Sequence, residues 1–426
     1  MKYSGVEWIG EIPDKWNLVR LKDICINKKE VAGEKSSEYE RLALTLNGVI
    51  KRPKDDQEGL QPKEFDTYQI LEENDFVFKM IDLQNISTSR VGLSPYTGLV
   101  SPAYIRFASK KKGQFNEFIH YYLLSLWHNC VYNNIAGDGV RSALNATDMG
   151  NLKCPYPTEN QQRKIADFLN QKTEEIDSLI EIENQQIEKL KEYVESSIYE
   201  YLKKELGVSI NDMSFESRTS MKKIGALSNL VTKQTGFDYS NTIKPTMLDN
   251  PNEDSLPYLQ TRNFKNNYFN LNTEFYVPKS TWEQFPKLIL DDETLLFSIV
   301  GASIGNVAIF PKSEKAFLGG AICRVNLVDK EYALFIKEIM LSKFGQEQIY
   351  RKINSNAQGT ITVQNVRDFL IPMPSKKDAV RIGQKCESMR KEVDDLITIK
   401  EKKIDVLTEY KKSLIYEYVT GKKEVC

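Results

Sequence analysis

Histidine is nearly missing from this chain: His120 and His128 are the only two in 426 residues. Catalysis by histidine is therefore poorly supplied. Both lie in one apolar helical stretch, and their eight-residue gap does not suit two metal ligands on a helix. Cysteine offers no substitute. Cys25, Cys130, Cys154, Cys323, Cys386 and Cys426 are scattered with no CxxC pair, which fits a reduced cytoplasmic protein with free thiols. No run of about 18 apolar residues occurs, and Met1-Lys2-Tyr3-Ser4-Gly5 lacks an apolar signal core. Neither membrane insertion nor secretion is expected. A GxxxxGK[ST] phosphate loop is missing; Gly301-Ala302-Ser303-Ile304-Gly305 has the glycines but no Lys-Ser/Thr, and reads as a strand-to-strand turn. There is no Asn/Asp-Pro-Pro-aromatic element for amino methylation, and Cys154-Pro155-Tyr156-Pro157 reads as a rigid lead-in to a helix. The carboxylates form no convincing catalytic pair or nuclease constellation. Charge of one sign is not in excess either. Lys and Arg number 58 against 59 Asp and Glu, so a nucleic-acid surface must be a local patch. These absences argue against an enzyme.

What the chain does have is a duplication. Two stretches, 158–207 and 375–421, match without a gap over their common length when the first is slid by 217 positions. Pro155 and Pro157 fall on Pro372 and Pro374, Ile165 on Ile382, and Asp177, Leu179, Ile180 and Ile182 on Asp394, Leu396, Ile397 and Ile399. Ile198-Tyr199-Glu200-Tyr201 falls on Ile415-Tyr416-Glu417-Tyr418. A repeat is sought before anything else, and two copies suggest a two-fold pseudosymmetric molecule. Both copies read as long helices. The first carries apolar residues at Ile165, Leu169, Ile176, Ile180, Ile187, Leu190, Val194 and Tyr201, in steps of three, four or their sum, seven. Glu183 interrupts this seam. The second seam is Ile382, Val393, Ile397, Ile404, Leu407, Leu414 and Tyr418. Thr158 with Gln161 predicts a capping box, and Gly207 and Gly421 predict the stops. Each helix has roughly 45 residues, or about 65–70 Å at 1.5 Å per residue. Either each belongs to its own bundle, or the two pack antiparallel as a rod holding two domains apart; the second is the sharper expectation.

The length gives a prior of about three domains, and 41% hydrophobic with 27% charged residues is a globular composition. Residues 4–16 (SGVEWIGEIPDKW) read as an irregular arm. Short β-like runs at 42–46, 76–79 and 104–107 follow, separated by turn formers such as Asn47-Gly48. A helical stretch at 115–132 and a glycine-containing loop at 136–142 lead to the first long helix. Residues 207–220 are polar and aperiodic and read as a linker. The plan then recurs: Lys223-Ile224 opens the second domain as Arg20-Leu21 opened the first, Phe118-Ile119 falls on Phe335-Ile336, and Leu144 on Ile361. The scaffold is repeated but the loops differ, which suits two readers of different targets.

Clusters suited to nucleic acid lie in the variable parts. One is Asn47, Lys51, Arg52 and Lys54. Another is Lys79 with Gln84, Asn85, Ser87, Thr88, Ser89 and Arg90. In the second domain Gln260, Thr261, Arg262, Asn263 and Lys265 form a third, which Ser303, Asn306, Gln358 and Thr360 extend; Arg141 precedes the first long helix. Arginine and lysine bind phosphates or guanine edges, and asparagine and glutamine pair with adenine. Each of these residues also has a plain reading as a solvated loop side chain.

On these residues the chain resembles a known family, the DNA specificity subunits of Type I restriction-modification systems. The resemblance is carried by the SGVEWIGEIPDKW arm, the prolines of 154–157 and 371–374, the strands Asp75-Phe76-Val77-Phe78-Lys79 and Leu295-Leu296-Phe297-Ser298, and the ending at 416–422. It implies an α+β architecture: two similar α/β target recognition domains joined by two long antiparallel helices that form a coiled-coil spacer. The implied boundaries are 1–157, 158–207, 208–374 and 375–426. It further implies double-stranded DNA as ligand, read as a bipartite asymmetric site. Two methyltransferase subunits would dock on the helices and restriction subunits would join them. S-adenosylmethionine, ATP and Mg²⁺ would belong to those partners, with no cofactor here. Two other classes stay open: a non-catalytic scaffold with two ligand-binding modules on a coiled-coil rod, and an orphan methyltransferase or nuclease.

Overall fold

Two strands that lie far apart in sequence close each half of the chain. In the computed structural model, which describes residues 1–56, 65–81, 83, 89–136, 143–207, 220–265, 268–353 and 359–425, Asn17–Arg20 pairs antiparallel with Lys153–Tyr156. Ser220–Lys223 pairs in the same way with Leu370–Met373. Pro155 and Pro372 sit in these two-stranded ladders, where a missing N–H is tolerated. The proline lead-ins are thus strands that run straight on toward the long helices. The chain divides into two compact units, Met1–Glu183 with Glu401–Cys426, and Asn184–Lys400.

Among the described residues each unit holds two four-stranded sheets, and their strand orders match. In the first unit one sheet runs Cys25–Asn27, Ile105–Ser109, Phe76–Phe78, Val91–Leu93; in the second the corresponding order is Ser228–Lys233, Ile322–Leu327, Thr294–Ser298, Val307–Phe310. The other sheet runs Gly48–Arg52, Arg41–Thr45, Gly98–Val100, Gln69–Leu71, against Tyr276–Val277, Leu256–Leu259, Ala316–Leu318, Ile289–Leu290. Both copies of this sheet contain one parallel pairing among antiparallel ones, Leu99 opposite Arg41 and Tyr258 opposite Phe317. The strands Phe76–Phe78 and Thr294–Ser298 are buried along their whole length, as strands covered on both faces are.

The anchors of the 217-residue offset are core residues in both places. Phe118, Ile119, Phe335 and Ile336 are all 0% exposed, and each such side chain stabilises by about 1.5–3 kcal/mol when buried. Leu144 and Ile361 are buried too, as are Ile198 and Ile415. A buried arginine recurs on the central strands. Arg106 donates to the Ile70 carbonyl and to Asp75. Arg324 donates to the carbonyls of Lys287 and Ile289. A charge this deep is stable only because carbonyls and carboxylates face it; Arg106 Nη2 also lies 3.0 Å from Glu72 Oε2.

The long helices are Glu159–Leu206 and Lys376–Val419. Thr158 caps the first through the reciprocal bonds the sequence predicts: Gln161 N donates to Thr158 Oγ1 at 3.4 Å, and Thr158 N donates to Gln161 Oε1 at 3.2 Å. Ser375 takes this role for the second, accepting from Asp378 N at 3.2 Å. Gly207 (φ 67°) and Gly421 (φ 70°) terminate them in the left-handed region. At Gly421 a β-carbon would lie 2.4 Å from Pro13 Cδ and 3.1 Å from Trp16, so the arm's approach demands glycine.

Within each unit the two helices run antiparallel. In the first, Lys411 pairs with Asp177 at 2.6 Å, Lys403 with Glu183 at 2.5 Å, and the Phe168 and Tyr418 rings lie 4.5 Å apart. In the second, Arg390 pairs with Glu195 at 2.5 Å and Arg381 with Glu205 at 2.6 Å, and Lys400 donates to Gln186. Glu183, which breaks the apolar seam in the sequence, is buried and faces a lysine on the other helix.

Candidate nucleic-acid interface

The predicted polar clusters land in several kinds of place. In the first unit, Arg41–Thr45 and Gly48–Arg52 form a hairpin whose tip exposes Asn47. Its turn is tied by Thr45 Oγ1, which donates to Gly48 O and accepts from Asn47 N. Lys51 pairs with Glu40 at 2.5 Å and lies over the Tyr96 ring, Arg52 pairs with Asp56 at 3.1 Å, and Lys54 donates to Ser36 O at 2.6 Å. The exposed Lys51–Glu40 pair is weakly held, so a phosphate can displace its carboxylate. Lys79 closes the strand Phe76–Phe78, with its backbone N donating to Arg90 O.

Other predicted residues lie inside the protein. Arg90 is 2% exposed, and its Nη1 donates to Ile81 O at 3.1 Å. Ser89 is 1% exposed and donates to Val91 O. Asn263 is buried as well; its Oδ1 accepts from Gln260 N at 2.8 Å and its Nδ2 donates to Asn270 O. These three serve the loops' own backbones, which is a different role from the groove contact the sequence suggested. Gln84, Asn85, Ser87, Thr88, Arg141 and Gln358 lie outside the described residues. Lys265 belongs to the strand Phe264–Lys265.

In the second unit the structure gathers Gln260, Thr261 and Arg262 at one cleft of about 780 Å³. Arg262 holds the Glu274 carboxylate at 2.9 Å across its rim, which keeps that carboxyl below the usual range. Ser303, Asn306 and Thr360 are placed elsewhere in the same unit, around the turn between Thr294–Ser298 and Val307–Phe310: Ser298 Oγ donates to Ser303 Oγ, and Thr360 bridges Val300.

The cleft also contains residues that carry little mark in the sequence. Gln234 accepts from the Tyr258 hydroxyl at 2.8 Å, and Tyr258 stacks with Tyr239, ring centroids 6.2 Å apart. Burial pushes the Tyr258 phenol up to about 12, so it stays a donor. The floor is Gly319-Gly320: a β-carbon on Gly319 would lie 2.3 Å from Leu259 O. That glycine doublet was the one readable signal, since it marks close backbone approach. No group of His, Cys, Asp and Glu among the described residues is arranged to hold a metal ion, and no described helix is long and apolar enough to cross a membrane.

Comparison with known proteins agrees with this architecture. The family described as Type I restriction modification DNA specificity domain matches residues 13–192. A Methanocaldococcus jannaschii protein assigned as the type I restriction enzyme MjaX specificity subunit is 26% identical over 98% of this chain and 96% of its own. The type I restriction enzyme MjaVIII specificity subunit of the same organism is 22% identical over 97% and 94%. A solved structure described as the structural basis underlying complex assembly and conformational transition of the type I R-M system shares the fold, with a TM-score of 0.67 at 12% identity, covering 96% of this chain and 98% of that one.

Proposed function

Because the chain belongs to the DNA specificity subunits of Type I restriction-modification systems, a family of non-catalytic subunits, we propose that each unit reads one half of a split, asymmetric DNA site and that the long helices dock two methyltransferase subunits. Restriction subunits join that core to cleave DNA. S-adenosylmethionine, ATP and Mg²⁺ act on the partners.

The observation that carries the docking reading is a duplicated surface. Leu179, Ile182 and Tyr410 are exposed on the helices of the first unit, and Leu396, Ile399 and Tyr193 on those of the second. Each has a residue of its own type 217 positions away. Exposed apolar side chains that recur in this way suit a protein partner, and a trio presented twice suits two copies of one partner.

The shared sheet order with unlike loops supports two different half-sites on one frame. Lys51, Arg52 and Lys54 in the first unit, and the cleft with Arg262 in the second, supply phosphate and base contacts. The gap between half-sites then depends on the number of helical residues, not on the loops.

A gel shift with the partner methyltransferase subunits, with and without a cognate site, tests this. Site-dependent retardation supports the reading. Equal affinity for any duplex, or none, favours the scaffold alternative. Alone, the chain binds DNA weakly and in a salt-sensitive way, because the partners complete the interface.

A further inference from the structure

The cleft of the second unit holds two buried amide atoms with no hydrogen-bond partner among the described residues. Gln234 is 2% exposed, and while its Oε1 accepts from Tyr258, its Nε2 has no partner among the described residues. Gln260 Oε1 is buried and has no partner among the described residues either. A buried polar group left unpaired is destabilising, so a site that keeps one donor and one acceptor in this state is built for a ligand that supplies their complements. Both residues line the cleft.

We propose that this cleft is an adenine-reading subsite of the DNA surface, with Gln234 and Gln260 as its specificity-determining pair; the inference rests on the DNA-reading function proposed above. The complement of a donor and an acceptor lining one cleft is a ligand edge that carries an acceptor and a donor. On the major-groove edge of a base only adenine offers this, as N7 with the N6 amino group; guanine offers two acceptors, cytosine one donor, and thymine one acceptor with a methyl group. The surroundings fit a base. Tyr239 and Tyr258 give an aromatic wall with their planes 25° apart. Gly320 keeps the floor low, since a β-carbon there would lie 3.0 Å from Gln234 Oε1. Lys233 and Arg262 stand at the same cleft to take a neighbouring phosphate.

The test uses the full chain assembled with its methyltransferase subunits and duplexes of its cognate site. Each adenine of the half-site read by the second unit is replaced in turn by 7-deazaadenine, which carries carbon in place of N7. For the wild type, one position loses about tenfold or more in affinity. The Gln234→Met complex loses as much on unmodified DNA and is indifferent to the replacement at that position. Gln260→Ala relaxes the preference for adenine there, and the other half-site is unchanged in both. Should Gln234→Met fail to fold, Gln234→Glu keeps the acceptor for Tyr258, lacks the donor, and serves for the same comparison. Equal sensitivity of wild type and variant at every position overturns the proposal, as does a second half-site without adenine; the DNA-reading function survives either result. A wild-type complex with no selective site overturns both.

Discussion

Arg390 Nε donates to Glu338 Oε2 at 2.6 Å, tying a buried carboxylate on the domain helix Ala333–Leu341 to the long helix Lys376–Val419. Both positions shifted back by 217 give Tyr121 and Thr173, whose hydroxyl oxygens lie 3.3 Å apart. The same two places are joined in both units, by charge in one and by neutral hydroxyls in the other. Burial pushes the Glu338 carboxyl up, while Arg390 and Lys337 oppose the shift.

The charged version is the fragile one. Arg390→Met leaves Glu338 buried against Lys337 and is expected to cost the second unit about 3–5 kcal/mol. The pair borrowed from the other copy, Glu338→Tyr with Arg390→Thr, is expected to cost much less than the single change. Hydrogen exchange of residues 333–341 reads the difference: protection collapses in the single variant and is largely kept in the double. Equal loss in both would mean that the two ties are not interchangeable.

Glu183 gives a second expectation. Its side chain is 7% exposed and its partner Lys403 is 55% exposed, so the desolvation cost falls on the glutamate while the lysine can turn to water. Glu183→Leu restores the apolar seam and is expected to be neutral or stabilising by about 1 kcal/mol, since well-packed apolar replacements of buried ion pairs often are. Glu183→Lys sets like charges face to face and is expected to lower the melting temperature by several degrees. Thermal denaturation followed by circular dichroism at 222 nm measures both.

The histidines predict a pH dependence. Burial lowers His120 and His128 from 6.5 to about 4, with neighbouring Lys412 and Lys411 adding to the effect at His128. The unfolded chain takes up these protons as pH falls through 6.5, and the folded chain does not until about 4. Stability from this source is therefore complete above pH 6.5 and is lost progressively between 6.5 and 4. The loss is at most about 3 kcal/mol for each histidine. Urea midpoints at pH 7.5 and pH 5 should differ more for the wild type than for His120→Leu; an unchanged difference would assign the acid sensitivity to other groups.

Much of this fold was legible because its strongest signals are local. Thr158 and Gln161 announce a helix start within four residues, Gly207 and Gly421 announce stops, and the three-and-four spacing from Ile165 to Tyr201 marks a buried face. Between the helices, Arg390–Glu195, Arg381–Glu205 and Lys411–Asp177 pair opposite charges. Sheet order was not legible, because partners such as Leu99 and Arg41 are brought together by the rest of the fold and carry no local mark. The site residues were the least legible. Arg90 reads as a surface cation, yet the carbonyl of Ile81 holds it inside. Gln234 reads as one polar residue among many, and only its placement beside Tyr258 and Gln260 gives it a role.

The central claim is that two separable domains each specify one half of a split site. Exchanging residues 20–150 for the corresponding domain of another such subunit, and sequencing the methylome of cells carrying the chimera with its methyltransferase partner, tests it most directly. The expected motif has one new half-site, with the other half-site and the gap unchanged. A motif altered in both halves, or in its gap, would contradict it.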